Sequence, residues 1–157
     1  MPRVVSLQQG ESDRFFETHW DVWNEKVGVR WETRQFCVGV RDDNDELVGA
    51  AAFSIIGGVG ELKQILVRLE YSGTGVGSLL MREFELRCRD TCHKLTLETA
   101  EYQARGFYEK HGFGVVHTRV NDRFHKTWYL MEKLIENSRD ESGHEVAGSP
   151  MAERSSE

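Results

Sequence analysis

The chain has 157 residues, the length of one ordinary domain, and a net charge of −6 at pH 7. This acidic balance, with no clustered basic segment, argues against a nucleic-acid-binding surface. The first residues do not resemble a signal peptide, and the longest apolar run, residues 47–60, is too short to cross a bilayer, so we expect no membrane partner. We predict a single domain over residues 1–136 and an acidic, disordered tail over residues 137–157.

Three cysteines, Cys37, Cys88 and Cys92, cannot all pair, and they lie in segments with strand or helix patterns. Free thiols are typical of a cytoplasmic protein, which is the compartment we predict. Cys88 and Cys92 lie one helical turn apart beside His93, but the sequence offers no evident fourth ligand. We therefore expect no metal site.

The chain is predicted to begin with a short strand at residues 3–7 and a helix capped by Ser12. Aromatic side chains then recur at helical spacing, and we expect them to pack in the core. The alternative is that some of them line a pocket for an acceptor substrate. These side chains are Phe15, Phe16, His19, Trp20 and Trp23.

Three strands are predicted next, at residues 33–41, 46–56 and 59–67. The polar residues 42–45 separate the first two strands, and Gly57-Gly58 offers a tight turn between the second and the third. Consecutive strands joined by tight turns run antiparallel, so the sequence predicts a three-stranded meander.

A glycine-rich segment follows the third strand and leads into a predicted helix over residues 75–89. Three glycines at alternate positions remove side chains from one surface, so several backbone N–H groups can point at one centre beside the positive end of a helix. We predict a cradle for an anion, with a diphosphate as the best match; the alternative is a tight turn that binds nothing. The segment is Ser72-Gly73-Thr74-Gly75-Val76-Gly77-Ser78.

The second half of the chain is predicted to form a strand at residues 94–99, a helix at 101–111 and two closing strands at 113–120 and 126–132. Gly112 occupies the position where a left-handed helix C-cap is expected.

Two other glycine-loop chemistries are alternatives. A dinucleotide-binding fold places G-x-G-x-x-G after a strand, and Gly73 and Gly75 fit that motif, but Ser78 stands at the third glycine. A loop that binds S-adenosylmethionine is imitated by the same glycines with Glu70 upstream. Both folds place the loop after their first strand, whereas this chain has three predicted hairpin-joined strands directly before it.

Residues 61–113 resemble the GNAT superfamily of acyl-CoA-dependent N-acetyltransferases. The family signature is Gln/Arg-x-x-Gly-x-Gly/Ala at a helix start and, one strand later, Asn-x-x-Ala-x-x-x-Tyr-x-x-x-Gly-Phe. The matching segments are SGTGVG (residues 72–77) and EYQARGFYEKHGF (residues 101–113), with departures at Leu69, Ser72 and Glu101. The resemblance implies an α/β (α+β) fold with a mixed, mostly antiparallel central sheet flanked by helices, in which a splayed strand pair holds the coenzyme.

The resemblance further implies that acetyl-CoA is the acyl donor and that no metal takes part. One strand would bind the pantetheine arm, with the Ile65 N–H polarising the thioester carbonyl, and the glycine-rich amides would bind the diphosphate. The predicted coenzyme-binding residues are Ile65, Leu66, Val67, Ser72, Gly73, Thr74, Gly75, Val76, Gly77, Ser78, Ala104 and Phe107.

Tyr108 and Glu61 are the predicted catalytic residues. Tyr108 would be the general acid that protonates the departing thiolate, since a phenol and a thiol have pKa values near ~10 and ~8.5. Glu61 is the candidate base; by strand alternation it shares a face with Ile65, about 13 Å away, and would act through water. Glu98 is the alternative base.

The acceptor is predicted to be a primary amine on a small molecule or a peptide, and its identity stays open. In relatives the acceptor contacts the first helices and the loop between the last two strands. The corresponding residues here are Trp20, Trp23, Trp31 and residues 121–126, with Asp21, Glu25 and Glu32 available to attract a cationic amine. Family likeness also allows a homodimer through the final strands.

The alternative function is a non-catalytic acyl-CoA-binding regulatory module of the same fold, which the departures at Ser72 and Glu101 favour. An enzyme releases thiol from acetyl-CoA in the presence of an amine, whereas a binding module does not.

Overall fold

The computed structural model describes residues 1–121 and 123–135. In chain order the elements are α1 (Gln9–Val27), β1 (Thr33–Arg41), β2 (Leu47–Ile56), β3 (Val59–Val67), a single 3₁₀ turn (Leu69–Tyr71), α2 (Val76–Cys88), β4 (Lys94–Ala100), α3 (Arg105–Lys110), β5 (Gly114–Asn121) and β6 (Lys126–Leu134). The strands form one sheet in the order β1-β2-β3-β4-β6-β5, and only the β3–β4 pair is parallel among them. This architecture confirms the predicted mixed, mostly antiparallel α+β class.

The predicted three-stranded meander is also confirmed. Asp42 organises the first turn, because its Oδ1 atom accepts hydrogen bonds of 2.9 Å from the backbone N–H groups of Asn44 and Glu46. The second turn consists of Gly57 and Gly58, whose φ values of 57° and 78° lie in the left-handed region that favours glycine. The meander carries β3 to the middle of the sheet, where it borders β4.

The parallel strands β3 and β4 pair along only part of their length. Their register runs from Val59 opposite Lys94 to Leu62 opposite Leu97 and then stops. Beyond that point β3 continues to pair with β2, and β4 continues to pair with β6. The two strands therefore diverge, and a slot opens between them at the end of β3 that leads into the glycine-rich loop.

A β-bulge in β3 coincides with the start of this divergence. Ala52 of β2 lies opposite Gln64, but its neighbour Phe53 lies opposite Leu62, so Lys63 is an extra residue in β3. One extra residue reverses the side-chain alternation of a strand beyond it. Side chains before and after Lys63 therefore cannot be assigned to faces by simple counting.

The helix α2 covers one face of the sheet and supplies much of the core. Its close approach requires glycine in β2, since a Cβ atom at Gly49 would lie 2.7 Å from the Val76 side chain and 3.3 Å from that of Leu80. Gly49 also lies opposite Val67, the last residue of β3. This packing places the N-terminus of α2 beside the end of β3. The largest fully buried side chains of the strands and α2 include Phe53, Phe84, Leu80, Met81, Leu95, Leu97 and Met131.

The two predictions for the first residues of the chain are wrong. Residues 3–7 are not a strand, and α1 begins at Gln9 rather than after Ser12. Ser12 lies inside the first helical turn, where its Oγ atom donates to the Gln9 carbonyl at 2.7 Å. A strand needs a neighbour to pair with its backbone groups, and none of the described strands lies beside residues 3–7.

The aromatic side chains of α1 do not pack in the core, so that interpretation is wrong as well. The helix has no buried residue. Helical spacing of aromatic residues predicts an apolar face but does not specify what that face contacts. The aromatic face lines a surface groove of about 410 Å³, formed by Phe15, Phe16, His19, Trp20, Val22 and Trp23.

The second predicted helix is shorter than expected, because residues 101–104 form a turn instead of its first turn. Gln103 closes that turn: its N–H donates to the Ala100 carbonyl and its Oε1 accepts from the Ala100 N–H, both at 2.9 Å. Gly112 has a φ of 87°, which confirms the predicted left-handed position after the helix.

The predicted single domain over residues 1–136 stays a prediction, and the tail predicted at residues 137–157 lies outside the described residues. None of the described helices has the length and hydropathy needed to cross a bilayer.

Candidate active site

The slot between β3 and β4 widens into a cleft of about 990 Å³. The cleft is bordered by the second half of β3, the glycine-rich loop, the end of β4 and α3. Eleven of the fourteen predicted site residues line it: Ile65, Leu66, Val67, Ser72, Gly73, Gly75, Gly77, Ser78, Ala104, Phe107 and Tyr108. Glu61, Thr74 and Val76 are not among the described residues that line it.

Two glycines give the loop its shape. Gly73 and Gly75 have φ values of 75° and 92°, a conformation that residues with a side chain rarely adopt. A Cβ atom added at either position would meet no atom within 4 Å. The space beside the loop is therefore open, and glycine is required here by the backbone conformation rather than by crowding.

The amide groups of the loop divide into two sets. The Ser72 N–H donates to the Leu69 carbonyl at 3.0 Å, and the Thr74 N–H donates to the Tyr71 carbonyl at 3.3 Å. The other five amides have no acceptor among the described residues: Gly73, Gly75, Val76, Gly77 and Ser78. Free amides at the N-terminus of a helix attract an anion, so the cradle has five available donors.

Polar contacts fix the base of this loop. The Tyr71 hydroxyl donates to Asp42 Oδ2 at 2.7 Å, and this hydrogen bond lowers the pKa of Asp42 and raises that of Tyr71. The Arg68 guanidinium contacts the carboxylates of Glu46 at 2.9 Å and Glu70 at 2.5 Å. Tyr71 and Arg68, which precede the loop, are thus both anchored to the β1–β2 turn. These contacts limit the movement of the loop relative to the sheet.

The edge of β3 that faces the slot presents unpaired N–H groups. The Arg68 N–H donates to the Val48 carbonyl at 2.9 Å, which directs it toward β2. Because N–H groups alternate between the two sides of a strand, those of Ile65 and Val67 point the other way, toward the slot. Pairing with β4 stops at Leu62, so none of the described strands pairs with these two donors.

Tyr108 lies on α3 and is 7% exposed, with its ring among core residues. Among the described residues the Tyr108 hydroxyl has no hydrogen-bond partner. It is not fully buried either, because Ser54 Oγ is the one fully buried side-chain polar atom without a partner in the described part of the chain. The Tyr108 hydroxyl is therefore open to the cleft that the residue lines. Burial raises the pKa of Tyr108 above its ordinary value, which favours the protonated phenol.

Glu61 does not share a face with Ile65, so that prediction is wrong. Leu62 is buried in the core, which places its neighbour Glu61 on the opposite face of β3. After the bulge at Lys63 the alternation is reversed, and Ile65 packs against the core. The Glu61 carboxylate pairs with the Lys63 ammonium at 2.5 Å.

Glu98, the alternative base, lines the cleft. It follows Leu97 in β4, immediately past the last residue pair with β3. Its Oε2 atom lies 3.5 Å from Arg119 Nη2, and both side chains are at least half exposed. An exposed pair of this kind is weak, so the carboxylate can accept a hydrogen bond from an incoming ammonium group.

Glu101, which departs from the family signature, is not among the described residues that line the cleft. Its pKa is lowered chiefly by hydrogen bonds with Thr127, and the Lys126 ammonium lies 3.8 Å from its carboxylate. Gln103 lines the cleft instead. Its Oε1 atom accepts from Ala100, which leaves its Nε2 group available as a donor.

The sequence does not point to several residues that line the cleft: Leu62, Lys63, Gln64, Tyr71, Leu97, Gln103, Lys110 and Trp128. Gln103 and Lys110 occupy variable positions of the second motif, so spacing from Tyr108 could have identified them. Trp128 comes from β6, and no local pattern connects it with the glycine-rich loop.

None of the described residues predicted to hold the acceptor lines the cleft, and residue 122 of that set lies outside the described residues. Trp20 and Trp23 line the separate groove on α1. Trp31 packs against the β2–β3 turn, where a Cβ atom on Gly57 would overlap its ring. The structure instead places Trp128 and Glu98 on the cleft wall.

Cys37, Cys88 and Cys92 form no disulfide in the described part of the chain. Burial, followed by the neighbouring Cys92, raises the pKa of Cys88 to about 12, so this thiol stays neutral. In the part of the chain that the structure describes, no group of three His, Cys, Asp or Glu residues could hold a metal ion.

Comparison with known proteins identifies relatives of the chain. A family model described as the acetyltransferase (GNAT) family matches residues 4–113. An uncharacterized N-acetyltransferase of Bacillus subtilis, YjcF, is 32% identical over 74 residues, which are 47% of this chain and 53% of that protein. The chain thus spans about half the length of this curated relative.

Solved structures share the fold. An acetyltransferase from Bacillus cereus superposes with a TM-score of 0.74 at 18% identity, over 85% of this chain and 98% of that chain. An aminoglycoside 6′-N-acetyltransferase complexed with coenzyme A superposes with a TM-score of 0.59 at 20% identity, over 68% of this chain and 76% of that chain. Since the family model matches well over half of the residues, the chain belongs to the acetyltransferase (GNAT) family.

Proposed function

We propose that this chain is an acyl-CoA-dependent N-acetyltransferase that transfers the acetyl group of acetyl-CoA directly to a primary amine. The observation that carries the proposal is the slot between β3 and β4, which opens beside five free amides at the N-terminus of α2. Coenzyme A has a diphosphate for those amides and an extended amide chain for an unpaired strand edge. The coenzyme A complex of the structural relative supports the same choice of ligand.

The binding residues act through backbone groups. The amides of Gly73 and of residues 75–78 donate hydrogen bonds to the diphosphate. The free N–H groups of Ile65 and Val67 pair with the pantetheine arm as a neighbouring strand would. The Ile65 N–H also stabilises the negative charge that develops on the thioester oxygen during attack.

The catalytic step forms one C–N bond and breaks one C–S bond. Glu98 takes a proton from the acceptor ammonium, which exposes the nitrogen lone pair for attack on the thioester carbon. After attack the nitrogen carries one excess proton, which passes to water as the tetrahedral intermediate collapses, while Tyr108 gives its own proton to the departing sulfur. The phenolate then recovers a proton from solvent and Glu98 releases its proton to solvent, so the products are an amide, free coenzyme A and one net proton.

Glu98→Gln is expected to lower kcat/KM about tenfold at neutral pH, with recovery as the pH rises toward the amine pKa of ~10.4, where the acceptor loses its proton unaided. The matched control is Glu61→Gln, which removes a carboxylate that pairs with Lys63 and is not among the described residues that line the cleft, so it should leave the profile unchanged. Rate profiles from about pH 6 to about pH 10 compare the variants. A rate that falls at neutral pH and recovers at high pH in Glu61→Gln, but not in Glu98→Gln, would assign the base to Glu61.

The proposal is tested by thiol release from acetyl-CoA across a panel of amino acids, polyamines, aminoglycosides and peptides. We expect amine-dependent release with at least one class, and mass spectrometry should show the acceptor heavier by one acetyl group. Tight acetyl-CoA binding without release for any amine would favour the regulatory module. The placement of Glu101 outside the cleft removes one of the two features that favour that alternative.

A further inference from the structure

His111 contacts the helical turn that forms the anion site. It follows the last residue of α3, and its Nε2 atom lies 3.2 Å from the Oγ atom of Ser78. Ser78 lies in the first turn of α2, lines the cleft and has a free amide. Since a hydroxyl can donate one hydrogen bond while accepting another, Ser78 can connect the His111 ring with an anion in the cleft.

Aromatic packing holds the His111 ring in this place. Its centroid lies 4.7 Å from that of Phe107. Phe107 in turn packs on Gly77, where an added Cβ atom would lie 3.2 Å from the Phe107 ring. The first turn of α2 is therefore fixed to α3 through adjacent contacts at Gly77 and Ser78.

Charged groups approach His111 from two other elements. Arg82 and Glu85 belong to α2, and Lys133 of β6 donates to Glu85 Oε1 at 2.6 Å. On its own element His111 follows Lys110. Burial is the main cause that lowers the pKa of His111; Glu85 raises it, and Lys133 and Arg82 lower it. The ring of the free protein is therefore neutral at neutral pH.

We propose that His111 is a positioning residue for the coenzyme diphosphate, acts through Ser78, and takes up a proton when that anion binds. This inference rests on the proposed function. With Nε2–H donating to the Ser78 oxygen, the Ser78 hydroxyl hydrogen is directed toward the anion. A diphosphate beside Ser78 stabilises the charged imidazole, since opposite charges favour the ionised form.

Proton uptake by His111 and binding of the diphosphate favour each other. The folded, unliganded protein has a lowered His111 pKa, and bound diphosphate raises it. The complex therefore binds more protons than the free protein in the interval between the two pKa values. Affinity for the diphosphate must increase as the pH falls through that interval.

The test is calorimetry of the full chain with dephospho-coenzyme A, which keeps the diphosphate but lacks the phosphate monoester that titrates near neutral pH. Binding should be about tenfold tighter at about pH 5 than at about pH 8, the change that a pKa rise of ~1 unit produces. His111→Gln keeps a hydrogen-bonding side chain but cannot take up a proton, so its affinity should change less than about twofold. His117→Gln, on β5, is the matched control and should behave as the wild type.

A second readout is the NMR titration of the His111 ring, assigned by its loss in His111→Gln. Its midpoint should rise on addition of dephospho-coenzyme A. Equal pH dependence in the wild type and His111→Gln, or an unchanged midpoint, would overturn the inference while leaving the proposed function standing. Failure of the wild type to bind at either pH would overturn the proposed function and the inference with it.

Discussion

Replacing Tyr108 by phenylalanine is expected to lower the rate of acetyl transfer about 100-fold, because the variant has no proton to give to the departing thiolate. The other phenol on the cleft cannot substitute, since the Tyr71 hydroxyl donates to Asp42. Coenzyme A affinity should change less than about twofold, because the loop and strand donors are backbone groups. Single-turnover rates and calorimetry measure the two effects separately.

If Tyr108 is the general acid, the pH dependence of the rate follows from its pKa. Burial raises its pKa, so the protonated acid persists through neutral pH, and its ionisation should not limit the rate below about pH 10. Tyr102→Phe is the matched control, since Tyr102 is 64% exposed and belongs to the turn before α3. A wild-type rate in Tyr108→Phe would remove this residue from the mechanism.

Gly75→Asp is expected to weaken coenzyme A binding about 100-fold relative to Gly75→Asn, because it places a negative charge among the amides that bind the diphosphate. A side chain at Gly75 meets no protein atom within 4 Å, so it extends into open space beside the loop. Two like unit charges ~4 Å apart repel by about 4 kcal/mol at an effective dielectric constant of ~20, and solvent screening reduces this value. Calorimetry with coenzyme A compares the variants.

Asparagine is the matched control for aspartate at this position. The φ of Gly75 is 92°, and Asn and Asp tolerate positive φ to similar extents, so both variants carry similar backbone strain. Thermal unfolding should therefore give similar midpoints for both. Equal coenzyme A affinities in Gly75→Asp and Gly75→Asn would show that no anion binds at this loop.

The glycine-rich loop could be predicted from the sequence because its chemistry is local. Positive φ at Gly73 and Gly75 and free amides at a helix N-terminus follow from glycine spacing between a strand and a helix. The amides of Ser72 and Thr74 could not be separated from the rest, because they are used by carbonyls of the 3₁₀ turn. The glycine motif begins after the 3₁₀ turn, so its pattern does not predict that turn.

The face of Glu61 could not be predicted, because it depends on one extra residue in β3. The bulge at Lys63 exists only relative to the pairing with β2, and strand periodicity within β3 does not reveal it. The aromatic face of α1 was misassigned for a related reason. Spacing defines a helical face, whereas its burial depends on contacts with distant elements.

The most direct test of the central claim is calorimetry of the full chain against coenzyme A, NAD and S-adenosylmethionine under identical conditions. The slot beside the five free amides predicts saturable binding of one coenzyme A per chain and no comparable binding of the other two ligands. Tighter binding of NAD or S-adenosylmethionine, or no binding of coenzyme A, would contradict it.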